Sequence, residues 1–399
     1  MAAKYTPLAF EINLRPEGFV CEVGSLIEKL CGLHDQRDAR GIRYALVTLL
    51  VFMLLAKLAG QDHLRGIAQW VDRRKGALAE FLALAKPQAP HATTYSRALS
   101  KAVDIDELER VAREFFAAHP DAGQRVVIAF DGKLLRGTIP AGQTRGVYLF
   151  AAFLPDEGWV AFQVEVDRKE NEIPAAARVV KCLDLRGKIV TGDALLAQRE
   201  LSVQISQAGG DYVWIIKDNQ PGTRADLERL FAPEPCTPGF SPASHTDFTQ
   251  AQTVEKSHGR IERRTITVSA ALNEYLEWPG VQQVFKLERH VLHVREGRVS
   301  DEVVYGVTSL TAHEATAAEL LTIVRKHWQI ENALHYRRDD TLREDRCTLR
   351  AGHAARAMAV LNNLVLGLLL RRGVRNVPDA RRDFDADPQQ ALQLILKRQ

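Results

Sequence analysis

Apolar residues recur at helical spacing through the first 120 positions of the chain. They lie three and four residues apart, which predicts amphipathic helices, over 22–33, 42–59, 64–84 and 105–117. Breaks fall at 60–62, 86–90 and 119–123, and Asp104 is placed to cap the last of these helices. The pattern predicts an N-terminal helical domain over residues 1–124. Its helices could either contact DNA as a helix–turn–helix or only support the rest of the protein.

From residue 125 the pattern changes to short β-branched and aromatic runs, which predict strands. These runs are RVVIAF at 125–130, VYLFAAFL at 147–154, WVAFQVEV at 159–166, KIVTG at 188–192 and DYVWIIK at 211–217. Helical patterns at 174–185 and 194–208 separate the later strands. Three consecutive strands followed by β–α units predict an α/β fold, with a mixed sheet flanked by helices over 125–218.

The segment 219–310 has a different residue pattern, with several Pro-Gly and Pro-rich turns. Three further β-like runs, at 264–268, 281–294 and 299–307, predict a β-rich insertion that does not continue the sheet. A long helix is predicted from about Ala315 to Tyr336, and another from about 354 to 370. We therefore expect 311–370 to complete the core and 371–399 to form a C-terminal tail.

Composition excludes several classes of protein. With 46% apolar and 26% charged residues, the chain is typical of a globular protein. The run Tyr44–Ala56 is apolar except for Thr48, but its 13 residues fall short of the roughly 20 that a membrane span needs. The run therefore predicts a buried core helix and no membrane partner.

The cysteines and the N-terminus indicate a cytoplasmic protein. Five widely spaced cysteines without a C-x-x-C favour free thiols over a zinc ribbon or a disulfide framework. The first residues contain no basic region followed by an apolar core, so we expect no signal peptide.

Three carboxylates are candidates for catalysis. Asp131 and Asp193 each follow a short apolar run, and open sheets place their ligands at the carboxyl ends of strands. Either one alone is more often a turn residue or a helix cap. Glu331 falls within the apolar stripe of Leu320 and Val324 on a regular helix, where a carboxylate is costly unless it is paired or binds a metal.

Two aspartates and a glutamate suit a pair of Mg²⁺ ions, with Mn²⁺ as a substitute, because magnesium prefers hard oxygen ligands. Such a pair supports in-line displacement at a phosphodiester. An alternative is a zinc site formed by His327, Glu331 and His335, which are spaced four residues apart. No H-E-x-x-H occurs, however, and Trp328 crowds the same face.

Six blocks of the sequence resemble the signature blocks of DDE transposases of bacterial insertion sequences, in the group that includes the H-repeat-associated proteins. In chain order they are FDGKLLRG (130–137), KENEIPA (169–175), VTGDALLAQRE (190–200), DYVWIIKDNQ (211–220), HGRIERR (258–264) and RKHWQIENALHYRRD (325–339). The segment 34–70 resembles the N-terminal domain that accompanies this group. The resemblance implies an RNase H-like core, a β-rich insertion before the glutamate, and Asp131, Asp193 and Glu331 as the acidic triad.

One motif departs from the wider family. Many related transposases carry Y-x₂-R-x₃-E-x₆-K around the glutamate, whereas Val324, His327, Glu331 and Arg338 occupy those places here. Only the glutamate and a basic residue at the last place are kept, so the roles of the tyrosine and the arginine do not transfer.

DNA contacts are expected from cations, amides and an aromatic residue near the triad. The candidates are Lys133, Arg136, Lys217, Asn219, Gln220, Arg260, Arg264, Trp328, Asn332 and Arg338. For each of them a surface, turn or core role is the alternative. The formal charge of the chain is only +3, yet 325–375 contains 11 basic and 5 acidic residues, a local excess that is consistent with DNA.

The sequence therefore predicts a Mg²⁺-dependent DNA transposase. We expect it to bind terminal inverted repeats and target DNA, to act as a homodimer or a larger assembly, and to join a 3′-hydroxyl to the target. Two alternatives stay open: a DNA-binding protein that no longer cuts, and an RNase H-like nuclease that acts on hybrids or junctions.

Overall fold

A computed structural model describes residues 5–7, 20–40, 42–117, 125–167, 169–232, 247–257, 259–328 and 330–398. The side chain of Asn332, one of the predicted DNA contacts, lies outside the described set. Cys236 also lies outside it, and the other four cysteines are free thiols.

The described helices follow the predicted pattern closely in the N-terminal region and at the predicted helix 354–370. They are α1 (Leu26–Cys31), α2 (Leu46–Leu58), α3 (Leu64–Phe81), α4 (Ala92–Arg97), α5 (Ile105–Phe116), α6 (Glu172–Cys182), α7 (Arg199–Gln207), α8 (Pro221–Leu230), α9 (Ala317–His327), α10 (Ala354–Arg371), α11 (Val377–Ala386) and α12 (Pro388–Leu396). Short 3₁₀ turns occur at Arg136–Thr138, Ala194–Leu196 and Glu344–Arg346, and π-helical turns at Ala98–Ala102, Ile330–His335 and Arg337–Thr341.

Two short strands, β1 (Tyr5–Pro7) and β2 (Val20–Glu22), form an antiparallel pair. The other described strands are β3 (Val126–Leu134), β4 (Tyr148–Leu154), β5 (Trp159–Glu165), β6 (Lys188–Gly192), β7 (Asp211–Ile216), β8 (Thr249–Ser257), β9 (Arg260–Ser269), β10 (Gln283–His293) and β11 (Arg298–Thr308). Within the described residues these nine form one mixed sheet in the order β5–β4–β3–β6–β7–β11–β10–β9–β8. The first five positions of that order give the predicted RNase H-like mixed sheet, and the α/β class is confirmed.

The chain divides into two compact units. The first contains the described residues up to 117 together with 132–167 and 331–398, and the second contains 125–131 and 169–330. In the first unit, α2 is buried along nearly its whole length and contacts α1, α3 and α10. Among the described helices, α10 alone is long and apolar enough to cross a membrane, and 83% of it is buried inside the protein.

In the second unit the parallel strands β3, β6 and β7 form the centre of the sheet. Their apolar side chains share one buried cluster with those of α9, which includes Val127, Ile189, Val213, Leu320 and Val324. The helix α9 begins with a capping box, in which the hydroxyl of Thr316 accepts from the Glu319 N–H and the Glu319 carboxylate accepts from the Thr316 N–H.

The strands of 219–310 continue the main sheet, so the prediction of a separate insertion sheet is wrong on this point. Strand β11 pairs antiparallel with β7, from Tyr305 opposite Ile216 to Thr308 opposite Val213. The pairing covers the edge of β7, which would otherwise expose unpaired backbone groups. Gly306 makes the close approach feasible, because a Cβ there would lie 2.4 Å from the Trp214 carbonyl oxygen.

The predicted helix from Ala315 to Tyr336 is also wrong in its second half. The α-helix ends at His327 with Trp328 as its C-cap, and a π-helical turn follows from Ile330 to His335. The last turn of α9 carries Arg325, Lys326 and His327, and cations are favourable at a helix C-terminus. The sequence contains no glycine or proline there to mark the end.

Candidate active site

Strands β3 and β6 bring two of the three predicted carboxylates together. The strands are parallel, and the last registered pair is Ala129 opposite Thr191. Continuing that register by two residues on each strand places Asp131 opposite Asp193. Neighbouring strands lie about 4.8 Å apart, and paired residues of parallel strands point to the same face. This extension of the register predicts that the two residues lie at corresponding positions of neighbouring strands.

Asp193 ends its strand and begins a turn. Its side chain accepts a hydrogen bond from the Leu196 N–H at 3.3 Å and caps the 3₁₀ turn Ala194–Leu196. The preceding Gly192 has no room for a side chain, since a Cβ there would lie 2.7 Å from Leu196 Cδ1 and 2.9 Å from Trp214 Cζ3. Asp193 is exposed although it caps the turn. One of its carboxylate oxygens accepts the capping hydrogen bond, and the side chain still reaches solvent.

Asp131 lies within β3 and not at its end, because the strand continues to Leu134. The following Leu135 N–H donates to the Val147 carbonyl at 2.9 Å, which extends the ladder beyond the apolar run. Asp131 is half-buried, whereas Phe130 before it is fully buried. The four residues Val127–Phe130 are all buried, so burial decreases along β3 at Asp131.

Two of the predicted DNA-contacting amides hold the turn that Asp193 begins. Asn219 Nδ2 donates to the Ala194 carbonyl, and Gln220 Nε2 donates to the Ala197 carbonyl at 3.0 Å. Both amides follow β7, the strand next to β6. Their observed role is to fix the backbone after Asp193.

Thr191, two residues before Asp193 in the sequence, forms a polar contact with His327. Thr191 Oγ1 lies 3.3 Å from His327 Nδ1, and its hydroxyl donates to the Ile128 carbonyl. Burial lowers the pKa of His327 to about 4. The imidazole is therefore neutral at physiological pH and can donate or accept one hydrogen bond at Nδ1.

Glu331 is exposed and lies in the π-helical turn Ile330–His335 of the first unit. The prediction that it faces the core is wrong, because the 100° advance per residue stops where α9 ends. An exposed carboxylate needs no partner to offset burial. Its position is compatible with a ligand from solution.

Lys133 and Arg338, both predicted to contact DNA, are buried in ion pairs of the first unit. The Lys133 side chain is 7% exposed and pairs with Asp339. Arg338 is fully buried, and its Nε donates to Glu344 at 2.7 Å while Nη1 donates to Gln163 at 3.2 Å. Arg338 therefore offers DNA no accessible atom in this structure.

Other predicted cations differ in their exposure. The Arg136 side chain is 77% exposed and 3.7 Å from Asp345, Lys217 is exposed and Arg260 is half-buried. Arg264 is buried and pairs with Glu262 at 2.7 Å. The Trp328 ring lies under the Arg289 guanidinium, at 5.8 Å from its carbon, and packs against the apolar cluster of the second unit. Arg136, Lys217 and Arg260 keep a surface that DNA can reach.

Sequence reasoning missed the polar network that surrounds Arg338. Asn362 Nδ2 donates to Glu344 at 2.7 Å, and Asn363 Nδ2 donates to Gln163 at 3.1 Å. Burial, together with the charges of Arg338 and Lys133, lowers the pKa of His335 to about 3. The only signal in the sequence was the unusual density of charged residues over 337–346.

The residue types of Asp131 and Asp193 fit magnesium, because carboxylates supply the hard oxygen ligands that it prefers. Among the residues that the structure describes, no group of three or more His, Cys, Asp or Glu side chains is arranged to hold a metal ion. The zinc alternative with His327 and His335 therefore gains no support.

Comparison with known proteins identifies the family. Residues 122–368 match the family described as Transposase DDE domain, and residues 27–116 match the domain associated with it. The protein YbfL of Escherichia coli K12 is 27% identical over 355 residues, which are 87% of this chain and 91% of that protein. The H repeat-associated protein YhhI of the same strain is 26% identical over the same shares.

Two further similarities extend the comparison. A protein encoded in the dhlA 3′ region of Xanthobacter autotrophicus is 34% identical over 275 residues, which are 67% of this chain and 88% of that protein. A solved piggyBac transposase synaptic complex with hairpin DNA aligns over 90% of this chain and 75% of that one, at 11% identity and a TM-score of 0.39. Because the Transposase DDE domain match spans more than half of the residues, this chain belongs to the DDE transposase family.

Proposed function

We propose that this protein is a DNA transposase that cleaves the ends of its own insertion sequence and joins the resulting 3′-hydroxyl to target DNA. The observation that carries the proposal is that β3, which contains Asp131, and β6, which leads into Asp193, are neighbouring parallel strands. Two carboxylates carried by neighbouring central strands of an RNase H-like sheet suit phosphodiester chemistry. Membership of the DDE transposase family supports the same reaction.

Asp131 and Asp193 would hold Mg²⁺, and we assign Glu331 as the third carboxylate from the family resemblance. Bound magnesium supplies charge stabilisation at the attacked phosphate and lowers the pKa of a bound water. The chain itself contributes the position of Asp193, which Gln220 and Asn219 fix through the following turn.

The partner we propose is double-stranded DNA, both at the terminal inverted repeats and at the target. Arg136, Lys217 and Arg260 are the predicted cations with an exposed or half-exposed position, and contacts of this kind fix register on the phosphate backbone. Two DNA ends have to be joined to one target, so we propose a homodimer or a larger synaptic assembly. The reaction would take place on nucleoid DNA in the bacterial cytoplasm.

A cleavage assay with labelled duplexes tests the proposed function. The substrates are the inverted-repeat end, an unrelated duplex and an RNA–DNA hybrid, each with Mg²⁺ or with a chelator. We expect nicking of the inverted-repeat end in Mg²⁺, and no cut in the unrelated duplex. Glu331→Gln is a suitable inactive variant, because Glu331 is exposed and its replacement costs the fold little. Glu200→Gln, at another exposed glutamate, serves as the matched control.

Each other outcome of the assay indicates a different function or a different active site. Binding of the end without nicking favours a DNA-binding protein that has lost catalysis. Cutting of the hybrid without end specificity favours an RNase H-like nuclease. Full cleavage by the Glu331→Gln protein would remove Glu331 from the active site.

A further inference from the structure

A basic pocket in the first unit lies outside the proposed active site. It has a volume of about 470 Å³, and its wall includes His63, Arg65, Arg343, Arg346 and Cys347. We call it the arginine pocket. Three guanidinium groups carry its charge, because the only carboxylate in the wall, Asp62, is paired with Arg381. The pocket is therefore positive and suited to an anion.

The three arginines have no partner that would explain their convergence. Arg65, Arg343 and Arg346 are exposed, and among the described residues none of them forms an ion pair. Gathering three positive charges around one cavity is unfavourable unless an anion offsets their repulsion. Other arginines of this unit are instead paired with carboxylates, as Arg338 and Arg356 are.

The backbone of Arg343 is a second indication of a ligand. Its φ of 50° and ψ of 37° lie in the left-handed region, which glycine or asparagine adopts with little strain and arginine does not. Strained positions of this kind cluster at ligand-binding sites. Glycine would adopt this backbone conformation without strain, so the presence of an arginine favours a role for its side chain.

The pocket wall also includes a helix N-terminus, and its Asp62 interacts electrostatically with a buried lysine. Helix α3 has 18 residues, begins at Leu64 in the pocket wall, and has no side-chain cap at His63. Its first N–H groups can therefore bind an anion. Lys57 is fully buried and its Nζ bonds to none of the described residues. Burial lowers the pKa of its ammonium group, whereas Asp62 of the pocket wall acts in the opposite direction.

We propose that the arginine pocket binds a phosphodiester of the DNA backbone, with Arg65, Arg343 and Arg346 as its ligands. Arginine is the residue that best matches the geometry of a phosphate. The volume exceeds that of one phosphate and leaves room for the adjoining sugar. The choice of DNA over a free phosphate rests on the proposed function, and Arg343 follows Glu331 by only 12 residues (343 − 331).

Equilibrium binding of duplex DNA without metal tests this inference separately from catalysis. Arg343→Gly removes the guanidinium and relieves the backbone strain, so the variant should melt no lower than the wild type. We expect its dissociation constant to rise about tenfold, equally for the inverted-repeat end and for an unrelated duplex. The slope of log affinity against log salt should fall by about 0.9, the value for one phosphate contact.

Two further variants complete the design. Arg346→Gln removes a second guanidinium at an ordinary backbone position and should weaken binding in the same way. Arg73→Ala is the control, because Arg73 is exposed, lies on α3 with the pocket residue Arg65 and is not part of the pocket wall. It should change the salt slope least.

Three results would overturn the inference. One is an unchanged affinity and salt slope in both Arg343→Gly and Arg346→Gln. Another is a wild-type chain that binds no duplex at all. The third is a pair of observations: inorganic phosphate raises the melting temperature of the wild type but not of these variants, and the variants bind DNA with unchanged affinity. The pocket would then be a site for free phosphate. A wild type that binds DNA through this pocket but does not nick it would defeat only the proposed function.

Discussion

Replacing Arg338 separates a structural role from a DNA-binding one. Arg338 is 0% exposed and its partner Glu344 is 2% exposed. In Arg338→Met the buried carboxylate of Glu344 would lose its cation and keep only the hydrogen bond from Asn362. Removing one partner of a buried ion pair costs about 3–5 kcal/mol, because the remaining charge stays uncompensated.

This loss should appear in the melting of the first unit. At about 2–4 °C per kcal/mol for a unit of this size, the transition should fall by roughly 6–20 °C. Differential scanning calorimetry measures the shift. Arg136→Met is the matched control, because the Arg136 side chain is 77% exposed and an exposed substitution changes stability by less than about 0.5 kcal/mol.

A double variant distinguishes the lost pair from lost packing. Arg338→Met with Glu344→Met removes both charges, and apolar replacement of a buried pair is often close to neutral. Most of the lost stability should therefore return. If Arg338→Met melts like Arg136→Met, or if the double variant is no better than the single one, the buried pair does not hold this part of the fold.

Two smaller effects on stability can be measured by thermal and urea unfolding. Asp104→Ala should destabilise the first unit by about 1 kcal/mol. The reason is that the Asp104 carboxylate accepts hydrogen bonds from the N–H groups of Asp106 and Glu107 at 3.0 and 3.1 Å. An unchanged melting temperature would contradict a stabilising role for this helix cap. His327 has a pKa of about 4 in the folded state, below the ordinary value of about 6.5. Between these two pH values the unfolded chain binds a proton that the folded protein does not. The free energy of unfolding therefore decreases as the pH falls from about 6.5 to about 4. Urea unfolding across the window should show a loss of roughly 1–3 kcal/mol in the wild type and a flatter profile in His327→Gln; parallel profiles would show that His327 is not the group responsible.

Elements with a strong local pattern could be predicted from the sequence. Helix α2 is apolar at 11 of its 13 positions, and the run KIVTG ends at Gly192 as β6 does. Asp104 caps α5 as its residue type predicts. In each case the information lies within a few neighbouring residues. Asp193 could be placed for the same reason, since it directly follows a short apolar strand.

Features that depend on distant parts of the chain could not be predicted. Strand β8 is mostly polar and exposed, so no apolar alternation marks it, and its pairing with β9 defines it instead. Glu331 was expected on an apolar stripe because a regular helix was extended past His327. Arg338 was assigned to DNA because a sequence shows charge but not burial, and its partner Gln163 is 175 residues away.

The central claim is that Asp131 and Asp193 form one catalytic site, and nicking of the inverted-repeat end by Asp193→Asn tests it most directly. The matched control is Asp218→Asn, which alters a side chain that is 92% exposed in the turn after β7. We predict that Asp193→Asn binds the end with wild-type affinity and yields no nicked product in Mg²⁺, whereas Asp218→Asn cuts normally. Wild-type nicking by the Asp193→Asn protein would contradict the account.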